Sequence, residues 1–166
     1  MTRPLIRVGQ GVDIHAFAPE RPLILGGVRI ADTGGLGGHS DADAVLHAIT
    51  DAILGAVAAG DIGNYFPSTD ERWRDAGSAI FVREAKRVLD ERGAGISNID
   101  VTIIAQQPKL APHREAMVAS IARLLGLPPG LVSVKATTTD HLGFIGRGEG
   151  ICAMAIVLVA IPPASS

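Results

Sequence analysis

Residues 151–161 read ICAMAIVLVAI, the longest apolar run in the chain. A strand with one face in water alternates apolar and polar residues; this run does not alternate, so we expect both of its faces to be covered. It is well short of the ~20 residues that a membrane-spanning helix requires. Two explanations of the double coverage stay open: a central strand in the core of one chain, or a strand whose second face packs against another subunit.

The neighbouring patterns predict a mixed α+β fold, as a two-layer arrangement with helices on one face of a sheet. Further strands are predicted over 5–15, 23–30 (a hairpin around Gly26 and Gly27), 96–106 and 131–139. Helices are predicted over 41–59 (with Ser40 as N-cap and Asp41 and Asp43 in the first turn), 77–92 and 112–125. Gly9 and Gly11 inside the first strand indicate a bulge or a close backbone approach.

Length and composition indicate one domain over 1–161, followed by a frayed tail over 162–166. Apolar residues make up 47% and charged residues 19%, which excludes a disordered chain, and a net charge of −2 offers no basic surface for nucleic acid. The single cysteine and the absence of a signal-peptide pattern predict a cytoplasmic protein. Only 4% of residues are aromatic, so we expect oligomerisation to help bury the aliphatic surface.

A candidate metal site combines Asp13, His15 and His47. Side chains two apart leave the same face of a strand, and His47 lies away from the apolar stripe of its predicted helix. One carboxylate and two imidazoles that leave a position open are a donor set of catalytic zinc. The spacing alone also fits a common Asp-x-His pair and a solvated helix histidine.

Several polar stretches are candidates for phosphate binding. His39 and Ser40 lie where a glycine-rich loop opens a helix, although Ser40 also fits an ordinary cap. The stretch 135–140, KATTTD, ends a strand with hydroxyls and Asp140, an oxygen ligand suited to Mg²⁺, but threonine also favours strands by propensity. The segment 143–150, GFIGRGEG, precedes a strand, so it is not a dinucleotide-binding motif.

These stretches together resemble one family. GVDIH at 11–15, HSDAD at 39–43 with HA at 47–48, GDIG at 60–63, DVTIIAQ at 100–106, KATTT at 135–139 and GFIGRGEG at 143–150 occur in order. They resemble the 2-C-methyl-D-erythritol 2,4-cyclodiphosphate synthase family of the non-mevalonate isoprenoid pathway. The resemblance covers Arg7 to Ala160, nearly the whole chain.

The resemblance implies a phosphorus–oxygen lyase that converts 4-diphosphocytidyl-2-C-methyl-D-erythritol 2-phosphate to 2-C-methyl-D-erythritol 2,4-cyclodiphosphate and releases CMP. It implies Zn²⁺ and a second divalent ion, Mg²⁺ or Mn²⁺, as cofactors. It also implies a homotrimer whose sheets face the trimer centre, with active sites between neighbouring subunits and no nucleic-acid or membrane partner. A metal-dependent hydrolase of nucleotide diphosphates and a non-catalytic trimer that binds nucleotide or isoprenoid phosphate are the alternatives.

The resemblance also implies residue roles. Asp13, His15 and His47 would hold zinc, Asp140 the second ion, and His39 and Thr138 would stabilise the transition state. The substrate-binding positions would be Ser40, Asp61, Ile62, Gly63, Ala105, Lys109, Ala136, Thr137, Thr139, Phe144 and Arg147. Two positions depart from the family: Asp140 stands where glutamate is usual, and Ser68 where aspartate is frequent.

Overall fold

The computed structural model describes residues 4–162, so the predicted tail lies, apart from Pro162, outside the described residues. The strands are β1 (Leu5–Ala18), β2 (Leu23–Leu25), β3 (Val28–Ala31), β4 (Gly35–Leu36), β5 (Gly95–Ile104), β6 (Val132–Thr137) and β7 (Gly150–Ile161). The helices are α1 (Ala44–Ala56), α2 (Ile62–Tyr65), α3 (Ala79–Glu91), α4 (Arg114–Leu125) and α5 (Gly143–Gly146), with 3-10 turns at Glu71–Trp73, Ala111–His113 and Pro129–Leu131.

The main sheet has the order β4-β1-β7-β5-β6, and β2 pairs with β3 in a separate hairpin. Strand β7 runs antiparallel to both of its neighbours, while β5 and β6 are parallel. Helix α1 packs on β1 and β7, α4 packs on β6, and α3 contacts both helices. The expected mixed α+β fold with a helical layer on the sheet is therefore confirmed, and the apolar run lies at the sheet's centre.

The two faces of β7 have different surroundings. Its odd-numbered residues from Ile151 to Val159 are fully buried under the helical layer. On the other face Ile156 remains 46% exposed, and β1 presents Val8 at 63% and Ile14 at 52% exposure. One chain therefore makes β7 central but covers only one of its faces. A contiguous apolar face of this kind is typical of an interaction surface.

Gly9 and Gly11 allow α1 to lie directly on β1. A Cβ atom built on Gly9 would stand 1.8 Å from the carbonyl oxygen of Ala52, and one on Gly11 would stand 1.9 Å from that of Ala48. Strand β1 continues through both glycines without a break. Of the two expectations for these residues, the close backbone approach is the one that the structure contains, and any side chain here would push the helix off the strand.

The start of α1 differs from the prediction. Ser40 was expected to be the N-cap of a helix over 41–59, with two aspartates in its first turn, but the cap is Asp43 and the helix begins at Ala44. The Asp43 carboxylate accepts hydrogen bonds from the backbone N–H groups of Leu46 (3.1 Å), Gly26 (2.8 Å) and Gly27 (2.6 Å). Because two of these donors belong to the turn of the β2–β3 hairpin, a local capping pattern could not reveal them.

Smaller differences concern element ends and short helices. Strand β1 runs three residues beyond the expected end at His15, and the strand expected over 131–139 covers Val132–Thr137. The helices expected over 77–92 and 112–125 are α3 and α4, the latter preceded by a 3-10 turn. The one-turn helices α2 and α5 lie in stretches for which the sequence predicted no helix.

We predict that Gly9→Ala lowers the free energy of unfolding by about 3 kcal/mol or more, because the new methyl group collides with backbone that has no free rotation. Gly55→Ala on α1, the helix that Gly9 contacts, is the matched control: its Cβ would meet nothing nearer than 4.0 Å. Since alanine favours a helix over glycine, this control should gain about 0.5–1 kcal/mol. Chemical denaturation measures both, and equal effects would contradict the close-approach explanation.

A second prediction concerns Asp43, which is fully buried. Burial raises the pKa of its carboxyl from 3.8 to about 6, against the lowering effect of the three N–H donors. The folded chain therefore keeps a proton that the unfolded chain releases between these pH values, so the contribution of Asp43 to stability falls as the pH rises through this window. The difference in unfolding free energy between wild type and Asp43→Asn should shrink by about 2 kcal/mol from pH 4 to 7. A pH-independent difference would contradict this.

Candidate metal and nucleotide site

Three donor atoms converge where β1 passes the first turns of α1. His15 Nε2 lies 2.8 Å from Asp13 Oδ2, His47 Nδ1 lies 3.1 Å from the same oxygen, and the two ring nitrogens are 3.4 Å apart. Asp13 and His15 leave β1 on the face that carries Gly9 and Gly11. The close approach of α1 to β1 at the two glycines therefore also brings His47 on α1 to Asp13 and His15 on β1.

The donor set fits a divalent metal ion. Four donors about 2.0–2.1 Å from a tetrahedral zinc ion stand about 3.3 Å from one another, close to the separations here. The three residues form a group able to hold a metal ion, and all three side chains are at least half-buried. Two imidazoles and one carboxylate also leave one coordination position free for a ligand.

Electrostatics favour an ionised carboxylate at this site. Burial raises the pKa of Asp13, but hydrogen bonds from His15 and His47 outweigh it and lower the value from 3.8 to about 2. The hydrogen bond with Asp13 raises the pKa of His15 above 6.5, against the opposing effect of burial. Without a metal, a proton on His15 therefore compensates the buried charge, and a metal ion has to displace it.

Each histidine is held through the nitrogen that faces away from the triad. His15 Nδ1 donates to the carbonyl oxygen of Gly37 at 2.6 Å. His47 Nε2 lies 2.8 Å from Ser78 Oγ and 3.1 Å from Ser40 Oγ. Contacts of this kind fix the rotation of a ligand ring before the metal arrives.

The loop that carries His39 and Ser40 is fixed by contacts on both sides. Arg21 donates to the carbonyl oxygens of Gly38 (2.6 Å) and Ser40, which flank His39. The His39 ring donates through Nε2 to the carbonyl oxygen of Asp70 at 3.1 Å. His39 and Ser40 therefore lie on a loop whose backbone is fixed by hydrogen bonds, and Ser40 contacts His47 of the metal triad.

A cavity lies beside β6, at the opposite edge of the sheet from the metal triad. It measures about 260 Å³ and is lined by Ala105, Gln106, Pro108, Lys109, Leu110, Ala111, Ala136, Thr137 and Thr138. Five of the expected site residues (Ala105, Lys109, Ala136, Thr137 and Thr138) meet here. A backbone loop, apolar side chains and one lysine suit a flat polar ring that carries a phosphate.

Strand register relates the cavity to the metal triad. Ile14 pairs with Cys152, Cys152 with Ile104, and Ile104 with Thr137, so one row crosses the sheet from β1 to β6. The row spans three strand spacings, about 14 Å. Within one chain the triad and the cavity thus lie at the same end of the sheet but form separate half-sites.

Other residues with a predicted role lie at the start of α2 and directly after the cavity. Asp61, Ile62 and Gly63 begin α2, which is tied to α1 because the Ile62 N–H donates to Asp51 Oδ1 at 2.7 Å. Asp140 follows the cavity, 3.4 Å from Thr138 Oγ1, with Thr139 donating to the carbonyl oxygen of Leu142 at 2.7 Å.

Two expected binding residues and Asp140 lie apart from the triad. Phe144 and Arg147 lie in and just after α5, where Phe144 is 42% exposed and Arg147 contacts Glu149 at 2.6 Å. Over residues 4–162, the metal-ligating group consists of Asp13, His15 and His47, without Asp140.

Sequence reasoning missed the residues behind His47. Ser78 and Asp41 contact each other and Ser78 contacts the ring, yet the sequence placed Ser78 only inside the predicted helix over 77–92 and Asp41 only in the first turn of another. The Phe81 ring lies 5.7 Å from the His47 ring and 4.5 Å from Phe66. With Tyr65 and Trp73, four of the six aromatic residues of the chain thus gather beside one metal ligand. No sequence spacing predicts this cluster.

The fold and the site together define a mixed α+β protein with a three-residue group able to hold a metal ion and a separate cavity of about 260 Å³. Within residues 4–162, no helix combines the length and apolar character needed to cross a membrane. The model of the YgbB family matches residues 6–160.

A curated relative from Cupriavidus pinatubonensis, named 2-C-methyl-D-erythritol 2,4-cyclodiphosphate synthase, is 58% identical over 93% of this chain and 91% of its own length. The chain therefore belongs to the YgbB family, a family of enzymes whose curated relatives carry that name.

Solved structures show the same fold. The bifunctional IspDF from Campylobacter jejuni matches with a TM-score of 0.93 and 43% identity over 96% of this chain, which corresponds to 43% of that longer protein. The CDP complex of IspF from Plasmodium falciparum matches with a TM-score of 0.84 and 37% identity, over 95% of this chain and 97% of that one.

We predict that the purified protein binds about one divalent ion per chain at the triad and that His47→Ala abolishes this binding. His113→Ala, in the 3-10 turn before α4, is the control and should bind as wild type does. Protons compete with the metal for His15, and the pKa of His15 is raised above 6.5. As the pH is lowered, metal binding should therefore begin to weaken before the pH reaches 6.5. Metal titration at several pH values checks this; pH-independent affinity would contradict it.

Proposed function

We propose that this protein converts 4-diphosphocytidyl-2-C-methyl-D-erythritol 2-phosphate to 2-C-methyl-D-erythritol 2,4-cyclodiphosphate and releases CMP. The observation that carries the proposal is the pair of half-sites, a metal triad and a nucleotide-sized cavity, at one end of one sheet. The names of the relatives and the CDP-bound neighbour support the substrate class. The reaction makes the enzyme a phosphorus–oxygen lyase.

In this proposal an oxygen of the 2-phosphate forms a bond to the β-phosphorus, and the bond from that phosphorus to the oxygen bridging the α-phosphorus breaks. The electron pair leaves with CMP, and the eight-membered ring closes. No protein nucleophile is required, so the chain contributes positioning and charge stabilisation. The cavity around Ala105 and Ala136 holds the cytidine, with Lys109 near the phosphates, and the loop at Asp61, Ile62 and Gly63 binds the methylerythritol.

His39 and Thr138 stabilise the charge that develops at phosphorus, with Ser40 and Thr137 as further donors to phosphate oxygens. Thr139, Phe144 and Arg147 complete the substrate-binding set. Zinc at the triad would supply Lewis-acid polarisation of the β-phosphate. Asp140 would hold a second divalent ion, Mg²⁺ or Mn²⁺, and its side chain is one methylene shorter than the glutamate usual in the family.

We further propose a homotrimer in which the exposed face of β1 and β7 is covered by neighbouring copies, with the sheets toward the trimer centre. The argument is the apolar face bearing Val8, Ile14 and Ile156, which one chain leaves open. The ~14 Å between the two half-sites gives a second argument, because a neighbouring subunit can bring its own cavity to this subunit's triad.

The proposal predicts that wild type with the cytidine diphosphate substrate yields CMP and a cyclic diphosphate in equal amounts, seen by ³¹P NMR. His47→Ala should lower the rate by about 1000-fold or more, because loss of the Lewis acid removes several kcal/mol of stabilisation. His113→Ala should keep full activity. A linear methylerythritol phosphate as the product would instead indicate hydrolysis of a nucleotide diphosphate, the second candidate.

The shared site makes a separate prediction. His47→Ala removes the metal half-site, and Ala136→Trp fills the cavity, so each variant alone should be inactive. Randomly mixed trimers pair an intact triad with an intact cavity at about a quarter of their interfaces, so mixing should restore about a quarter of wild-type activity. Light scattering should give the trimer mass. An inactive mixture of proven mixed trimers would show that each site lies within one chain.

A further inference from the structure

Ser78 is the N-cap of α3, yet its hydroxyl makes no capping hydrogen bond to that helix. It is instead turned toward the metal site: it donates to Asp41 Oδ1, and its oxygen lies 2.8 Å from His47 Nε2. The side chain is completely buried. A serine at an N-cap ordinarily accepts a hydrogen bond from an N–H group of its own helix. Because the buried Ser78 hydroxyl bonds to other residues instead, we looked for its role in those contacts.

Asp41 holds this hydroxyl from two directions. Its Oδ2 accepts from the backbone N–H of Ser78 at 3.0 Å while Oδ1 accepts the Ser78 hydroxyl proton. The Asp41 N–H in turn donates to the carbonyl oxygen of Ala76 at 3.0 Å. The start of α3 is thereby tied to the residues that precede α1, and the orientation of the Ser78 hydroxyl is fixed.

We propose that Ser78 and Asp41 are positioning residues that set the tautomer and rotation of His47 for metal binding; this rests on the metal site of the proposed function. A carboxylate only accepts, so the Ser78 proton is committed to Asp41 and the Ser78 oxygen can only accept from His47. His47 Nε2 therefore carries a proton whether or not a metal is bound, so Nδ1 is the nitrogen whose lone pair becomes available when a metal ion replaces its hydrogen bond to Asp13. That is the atom that faces Asp13 and His15.

Ser40 also approaches His47 Nε2, but its geometry assigns it a different part. Its oxygen is farther away, at 3.1 Å, and already accepts from the Ala42 N–H at 3.2 Å. No acceptor for the Ser40 hydroxyl proton is fixed among the described contacts, whereas that of Ser78 is bound to Asp41. Ser78 thus accepts the hydrogen bond from the imidazole N–H and leaves the Ser40 hydroxyl free to donate to a substrate oxygen.

The test measures zinc affinity by competition with a fluorescent chelator, together with the visible spectrum of the cobalt-loaded protein. Ser78→Ala should weaken zinc binding about 10- to 100-fold, as loss of a hydrogen bond behind a histidine ligand does elsewhere. Ser78→Thr keeps the hydroxyl and should restore most of the affinity. Ser120→Ala, a buried serine on α4, is the matched control and should leave affinity unchanged.

Asp41→Asn provides a second variant that leaves Ser78 in place, should Ser78→Ala fold poorly. An amide can donate to the Ser78 oxygen, which frees the hydroxyl proton, so we expect weaker zinc binding and an altered cobalt spectrum here too. Wild-type affinity with an unchanged spectrum in both variants would overturn the proposal. Equal loss in Ser78→Ala and Ser78→Thr would also overturn it, because shape rather than the hydroxyl would then matter. Failure of the wild type to bind zinc would instead refute the proposed function.

Discussion

The contact between α1 and the glycines of β1 is the constraint on which the rest of the structure depends. Gly9 and Gly11 leave no atom between the strand and the helix carbonyls of Ala52 and Ala48. A helix held farther from this strand by side chains at positions 9 and 11 would move His47 away from Asp13. Because the backbones touch, short side chains suffice, and His47 meets Asp13 with no loop between them. The metal site is therefore built on two rigid elements.

Rigid placement also explains how the sheet serves both half-sites. Strand β7 pairs along its length with β1 on one side and β5 on the other, so the register that fixes Asp13 also fixes the end of β5. The parallel pairing of β5 with β6 then sets the position of Thr137. The strand register thus fixes the position of the cavity relative to the triad.

What the sequence could predict follows from the range of the interactions involved. The central strand and the main helices were readable, because each depends on periodicity within one element. The pair of Asp13 and His15 follows from strand spacing, whereas its combination with His47, which spacing alone left open, was supported by the family resemblance. The cap of α1 was not, because Asp43 is selected by donors in the distant hairpin turn. Ser78 was unreadable for the same reason: its hydroxyl contacts a residue of another helix, while the sequence placed it only near the start of a predicted helix.

The scarcity of aromatic residues has two physical consequences, and they occur on opposite sides of the sheet. On the helical side, four of the six aromatic rings form one cluster that joins the segment 65–73 to Phe81 of α3, and Phe81 in turn contacts His47. Few large rings remain for the other face, which is covered by aliphatic side chains of similar height, such as Val8 and Ile156. An exposed apolar face of this kind is typical of an interaction surface. Concentrating aromatic bulk beside the metal-ligating residues thus leaves the opposite face aliphatic and uncovered within one chain.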